Sequence, residues 1–189
     1  MSGVLVTGFE PFGGAEVNTS QLAAEAVGGV VLPVSYARAA DALRAAVRAA
    51  DPDVVICFGQ AEREAVSLEL FAHNLDGAES EDNDGAVSPG MIDPEGPVAY
   101  RSTLPVDEIV AALRAEEIPA GRSRDAGGFL CNHVFYVLMR LLEQERPGTT
   151  GGFVHVPADM DVELVVRAAA IVVDRSIGPG ISSPRAIPS

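Results

Sequence analysis

The chain is expected to fold as a single-domain α/β protein, a mostly parallel twisted sheet with helices on both faces. Three observations lead there. Short runs rich in β-branched and aromatic residues alternate with longer stretches whose apolar residues recur at three- and four-residue steps. Strands separated by helices join through crossover connections, which make neighbours parallel and cover the sheet on both sides. A length of 189 residues, 48% of them hydrophobic, suffices for one substantial core.

The elements follow in order. Val4–Val6, Val30–Val34, Val54–Phe58, Val66–Ala72 and Phe153–Val156 read as strands, and helices are expected near 19–27, 38–50, 107–116, 131–145 and 161–177. In the second helix Ala39, Leu43, Ala46, Val47 and Ala50 share one face. Strict alternation along 66–73 sets Val66, Leu68, Leu70 and Ala72 against Ser67, Glu69, Phe71 and His73. From Asn74 to about Pro105 the turn formers Asp82-Asn83-Asp84-Gly85, Pro89-Gly90, Pro94 and Pro97 predict irregular chain, a long loop of the kind that covers binding sites. Residues 1–177 form the expected domain, and 178–189, with repeated Gly, Pro and Ser, read as a mobile tail.

Charge and composition narrow the function. A net charge of −14 opposes nucleic acid and anionic membrane surfaces as partners. No apolar run has transmembrane length, and Met1-Ser2-Gly3 passes directly into a strand without a leader, so a cytoplasmic protein is expected. Two cysteines make neither a disulfide framework nor a four-thiolate zinc site. Asp76, Glu79, Glu81, Asp82 and Asp84 lack the ligand spacing of a calcium loop, so no metal is assigned. The glycine-rich segment Thr7–Gly14 matches neither phosphate-binding fingerprint and carries no Lys or Arg, and no cofactor is assigned either.

What remains is thiol chemistry. Cys131 falls where a helix begins and His155 near the end of a strand, the ingredients of a cysteine nucleophile and its base. Amide N–H groups at a helix start and a nearby imidazole both favour thiolate. In a parallel sheet the ligand site lies beyond the carboxyl ends of the strands, which selects Thr7–Gly14, Gly59–Glu62 and the loop at His155. Phe9 and Phe12 then offer an aromatic wall for something flat and small, and Glu69 offers a carboxylate to orient the imidazole. The competing assignments are core packing for Cys131, Phe9 and Phe12, and a solvated strand glutamate for Glu69. Cys57 reads as core, while His73 and His133 read as hydrogen-bonded or exposed histidines.

Together these segments resemble a known family. Val4-Leu5-Val6-Thr7-Gly8-Phe9-Glu10-Pro11-Phe12-Gly13-Gly14 with Asn18, Ser67-Leu68-Glu69 with Ala72 and Asn74, Asp82-Asn83 with Gly85, Ala126-Gly127 with Leu130-Cys131-Asn132, and Gly152-Phe153-Val154-His155-Val156-Pro157 are similar to the blocks of pyroglutamyl peptidase type I, a family of cysteine peptidases. The resemblance is collinear over about residues 3–177. It implies a Glu69, Cys131, His155 triad that removes N-terminal pyroglutamate from peptides, with Phe9 and Phe12 sandwiching the lactam ring and Asn18 and Gln60 beside it. It also implies a cytoplasmic homo-oligomer, a tetramer or dimer. A related thiol amidase acting on another small cyclic or acylated amine, or a weakly catalytic relative that binds small molecules, is the alternative.

Three departures bear on strength. Leu70 and Glu79 stand where the family usually carries arginines, and the extended loop that usually follows His-Val-Pro is mostly missing. A carboxylate near a developing oxyanion opposes it when desolvated and is nearly silent when screened.

Overall fold

The computed structural model describes residues 3–178, so the tail assigned to 178–189 lies, apart from its first residue, outside the described residues. The elements run β1 (Val4–Phe9), α1 (Thr19–Ala26), β2 (Val30–Leu32), α2 (Tyr36–Ala50), β3 (Val54–Ala61), β4 (Val66–Glu69), β5 (Phe71–His73), β6 (Ala99–Arg101), α3 (Val106–Ala115), β7 (Ala120–Ser123), α4 (Leu130–Glu145), β8 (Thr150–Pro157) and α5 (Val162–Ile177). All five expected helices form. Their starts are set by local chemistry, as in α1, where the Asn18 side chain accepts from the Ser20 amide, and α5, where Asp161 accepts from Glu163 and Leu164.

Six strands form the main sheet in the order β2-β1-β3-β8-β4-β7. β2, β1, β3 and β8 are mutually parallel, whereas β4 pairs antiparallel with β8 and parallel with β7. The sheet divides two cores. On one face α2 and α4 bury Leu43, Val47, Phe135 and Leu138 against Leu5, Val55 and Phe153. On the other, α1, α3 and α5 bury Ala24, Ile109 and Val172 against Val6, Ile56, Leu68 and Val154. Burying both faces of the central strands extends β1, β3 and β8 beyond their β-branched centres.

Two expectations need correction. The strand expected over 66–72 breaks at Leu70, because the chain leaves the main sheet there. Ser102 N–H donates to the Leu70 carbonyl, and Phe71–His73 pairs instead with β6 in a separate two-stranded ribbon. Alternation therefore holds through Leu70, which packs on the same side as Leu68, and then fails, with Ala72 packing on the α2/α4 side. The segment expected to be irregular up to Pro105 contains β6, and β7 was absent from the expected strands altogether. Ala120-Gly121-Arg122-Ser123 has no apolar alternation, and pairing with β4 at the sheet edge is what makes it a strand.

Candidate active site

Beyond the carboxyl ends of β1, β3 and β8 lies a cavity of about 200 Å³. Cys131, the second residue of α4, and His155, near the end of β8, both line it. Gly59 of β3 explains how the sulfur fits. A Cβ at that position would sit 2.8 Å from Cys131 Sγ and 2.7 Å from the Phe153 ring, so the missing side chain makes the space the thiol occupies. Gly59 is also the register partner of His155, which places imidazole and thiol over adjoining strands on the α4 side of the sheet.

His155 is 2% exposed, and its Nδ1–H donates to Glu69 Oε1 at 2.7 Å. A proton on Nδ1 leaves Nε2 as the basic nitrogen. Glu69, at 0% exposure, is not a solvated strand residue. Its strand neighbours β8 in antiparallel register, Glu69 opposite Phe153 and Ser67 opposite His155, so the two side chains meet on one face. The same Oε1 lies 3.1 Å from Arg63 Nη1, while Oε2 makes no hydrogen bond to the described residues. Sequence reasoning passed over Arg63, which follows the selected loop Gly59–Glu62 by one residue.

Other influences act on the thiol against those that favour thiolate at a helix start. Cys131 opens onto the cavity, and burial, reinforced by the negative charge of Glu69, pushes it up to about 12 against the opposing influence of Arg63. These influences favour the neutral thiol over the thiolate. Cys57, two residues before Gly59, is fully enclosed, and burial raises it likewise to about 12.

The four residues expected around a ligand all line the cavity, in different ways. Phe9 is 3% exposed and belongs largely to the core, whereas Phe12 is half-buried, with its ring 5.9 Å from that of Phe129. Phe129 is a third aromatic wall that sequence reasoning missed; its position just before the helix was the available signal. Asn18 is already committed, since Oδ1 accepts from the Ser20 amide and hydroxyl and Nδ2 donates to the Glu10 carbonyl. Gln60 Oε1 accepts from the Thr19 amide, leaving its Nε2 without a bond to the described residues.

The long segment after Asn74 braces the cavity from outside and contributes no lining residue, which corrects the expectation of a cover. Gly77 and Ala78 N–H groups donate to the Gly128 carbonyl, and Asn83 Nδ2 donates to Glu10 Oε1 and the Pro11 carbonyl. Asp82 caps α2 through the Tyr36 amide, which gives one of the clustered acidic residues a structural task. Glu79 is exposed, and Leu70 is half-buried away from the cavity. His133 pairs with Asp76 at 2.7 Å, and the Nε2 of exposed His73 contacts the Arg124 carbonyl. The chain does restart a helix soon after Pro157, with only 158–161 between β8 and α5. Among the described residues no helix is long and apolar enough to cross a membrane.

Comparison with known proteins places this arrangement. The family model described as pyroglutamyl peptidase matches residues 2–170. The pyrrolidone-carboxylate peptidase of Streptomyces coelicolor is 46% identical over 170 residues, covering 83% of this chain and 78% of that protein. Its counterpart from Clavibacter michiganensis is 47% identical, covering 83% and 79%. Among solved structures, pyroglutamyl peptidase I from Bacillus amyloliquefaciens superposes with a TM-score of 0.90 at 34% identity, covering 93% of this chain and 95% of that one. Pyrrolidone carboxyl peptidase from Thermococcus litoralis gives 0.90 at 32%, covering 94% of each. The likeness thus extends through sequence and backbone alike over nearly the whole described chain, and the protein belongs to the pyroglutamyl peptidase family.

Proposed function

We propose that the protein is a cysteine peptidase that releases N-terminal pyroglutamate from peptides, with Glu69, Cys131 and His155 as its triad. The observation that carries this reading is the buried 2.7 Å bond from His155 to Glu69 at a cavity that also holds Cys131. A neutral thiol needs its proton removed as it attacks, so His155 Nε2 acts as general base toward Cys131 Sγ. Sγ then adds to the pyroglutamyl carbonyl, and the proton passes from His155 to the departing amine. Water attacks the resulting thioester by the same relay and frees pyroglutamate. Glu69 keeps Nε2 facing the cavity and stabilises the imidazolium that forms in each step. Backbone N–H groups at the start of α4 are the donors for the oxyanion.

The walls favour a neutral ring. Phe12 and Phe129, with the edge of Phe9, supply apolar faces for a lactam, and Gln60 Nε2 is a donor for its carbonyl. Asn18 acts on the ring mainly by holding the Glu10 carbonyl and the α1 start in place. An open glutamate would bring a carboxylate and an ammonium group into this apolar setting at considerable desolvation cost. The same proposal includes assembly as a cytoplasmic homo-oligomer.

A fluorogenic pyroglutamyl amide tests the activity. Turnover by the native protein, its loss on thiol alkylation and its absence in Cys131→Ala are expected. Binding of the amide without thiol-dependent turnover would instead favour a weakly catalytic binding relative.

A further inference from the structure

We propose that Arg63 is a positioning residue, which locks the buried Glu69 carboxylate to the loop that carries the nucleophile and so sets the orientation and charge of His155. The inference rests on the triad assignment made above and adds a fourth member that acts through Glu69.

Geometry supplies the argument. The guanidinium has two engaged arms, Nη1 lying 3.1 Å from Glu69 Oε1 and Nη2 donating to the Asp125 carbonyl at 2.7 Å. Asp125 belongs to the connection between β7 and α4, where its amide N–H donates to Ser123 Oγ and its Oδ1 accepts from the Gly127 amide. Ser123 in turn is the register partner of Glu69. One side chain from just beyond β3 therefore joins β4 to the loop leading into Cys131. Lysine, a point charge on a flexible stem, does not offer two divergent donors in a fixed plane.

Charge gives the second line. Glu69 has no exposed surface, and a carboxylate in that position with only a neutral imidazole as donor is costly to keep ionised. Arg63 is the sole Arg or Lys among the residues lining the cavity, and at 27% side-chain exposure it is shielded enough for its charge to be felt. A role in gripping the substrate fits less well. Both arms are already directed at protein oxygens, and a neutral lactam offers no carboxylate to a guanidinium.

The sign of the effect follows from proton binding. Productive attack needs Glu69 ionised and His155 neutral. Removing a neighbouring cation favours proton uptake by the pair, so the acid limb of activity moves to higher pH.

The experiment compares the native protein with Arg63→Gln and Arg63→Lys on a pyroglutamyl amide across pH, alongside the pH dependence of Cys131 alkylation by iodoacetamide. For Arg63→Gln the acid limb of kcat/KM and the alkylation profile should both move up by about 1 pH unit. Its kcat should fall roughly 10- to 100-fold while KM stays within about threefold. Arg63→Lys should keep the acid limb near the native position yet lose about tenfold in kcat, since charge is kept and the bridge to Asp125 is not. An unchanged pH profile in Arg63→Gln, or a loss confined to KM, overturns the proposal. Should Arg63→Gln fail to fold, native kcat in Arg63→Lys overturns it. The alkylation profile needs no substrate, so absent turnover in the native protein would sink the peptidase reading while this measurement still decides the role of Arg63.

Discussion

Cys131 and Cys57 share a face of the sheet and a raised thiol, yet only Cys131 opens onto the cavity. Iodoacetamide should therefore label Cys131 at least about tenfold faster than Cys57 in the folded protein near neutral pH, and the two equally after unfolding. Because burial raises both folded thiols above the usual value of 9.0, access to the cavity and to His155, and not a larger thiolate fraction, should set this difference. A mass-spectrometric map with equal folded-state labelling would remove His155-assisted attack by Cys131 from the account. Glu79 poses the other question at this scale. Its side chain is exposed and outside the cavity lining, so screening should make Glu79→Arg nearly silent, with kcat within about twofold of native. A severalfold rise would mean that the loop brings residue 79 to the reacting carbonyl when substrate binds. Cys131, His155 and Glu69 were legible because each sits in a distinctive local run. Arg63 was not, because nothing in Glu62-Arg63-Glu64 shows that its partners lie on β4 and in the β7–α4 connection.

At the scale of elements, the ends of β3 and β8 decide whether the thiol has room. Gly59→Ala would press a methyl group against Cys131 Sγ and the Phe153 ring, both closer than real contacts allow. With Phe153 fully buried and α4 packed behind it, neither neighbour yields easily. The variant should lose about 1–3 kcal/mol of stability through overpacking. It should lose activity disproportionately, read as a kcat drop in protein that denaturation curves show still folded; native kcat would mean that the sulfur has freedom the packing does not suggest. Helices were the most legible elements, since an apolar face repeating through α2 or α5 leaves few alternatives. Short strands were the least. β6 and β7 carry no pattern of their own, and the break at Leu70 is imposed by hydrogen bonds from Ser102 and to Ser123, both far along the chain. Alternation set Glu69 on the face opposite Val66 and Leu68, which the fold turns toward His155, but gave no sign of its complete burial, which depends on what β8 and Arg63 bring beside it.

For the whole molecule, the α/β class was legible because alternating strands and helices admit few arrangements, while strand order and the antiparallel seam were not, since both depend on pairings between distant segments. The place of β8 in that order has a consequence for synthesis. Among the described residues it is the last strand to be made, yet it sits between β3 and β4. Without it, β2-β1-β3 and β4-β7 are separate sets of strands, each lacking the partner that β8 supplies at its inner edge. Long-range closure of this kind is slow and leaves those edges open to misassociation on the ribosome. The same order delays chemistry. Cys131 is translated before His155, so, on the proposed triad, a nascent chain that has already produced its thiol still lacks its general base and should stay silent until the sheet is complete.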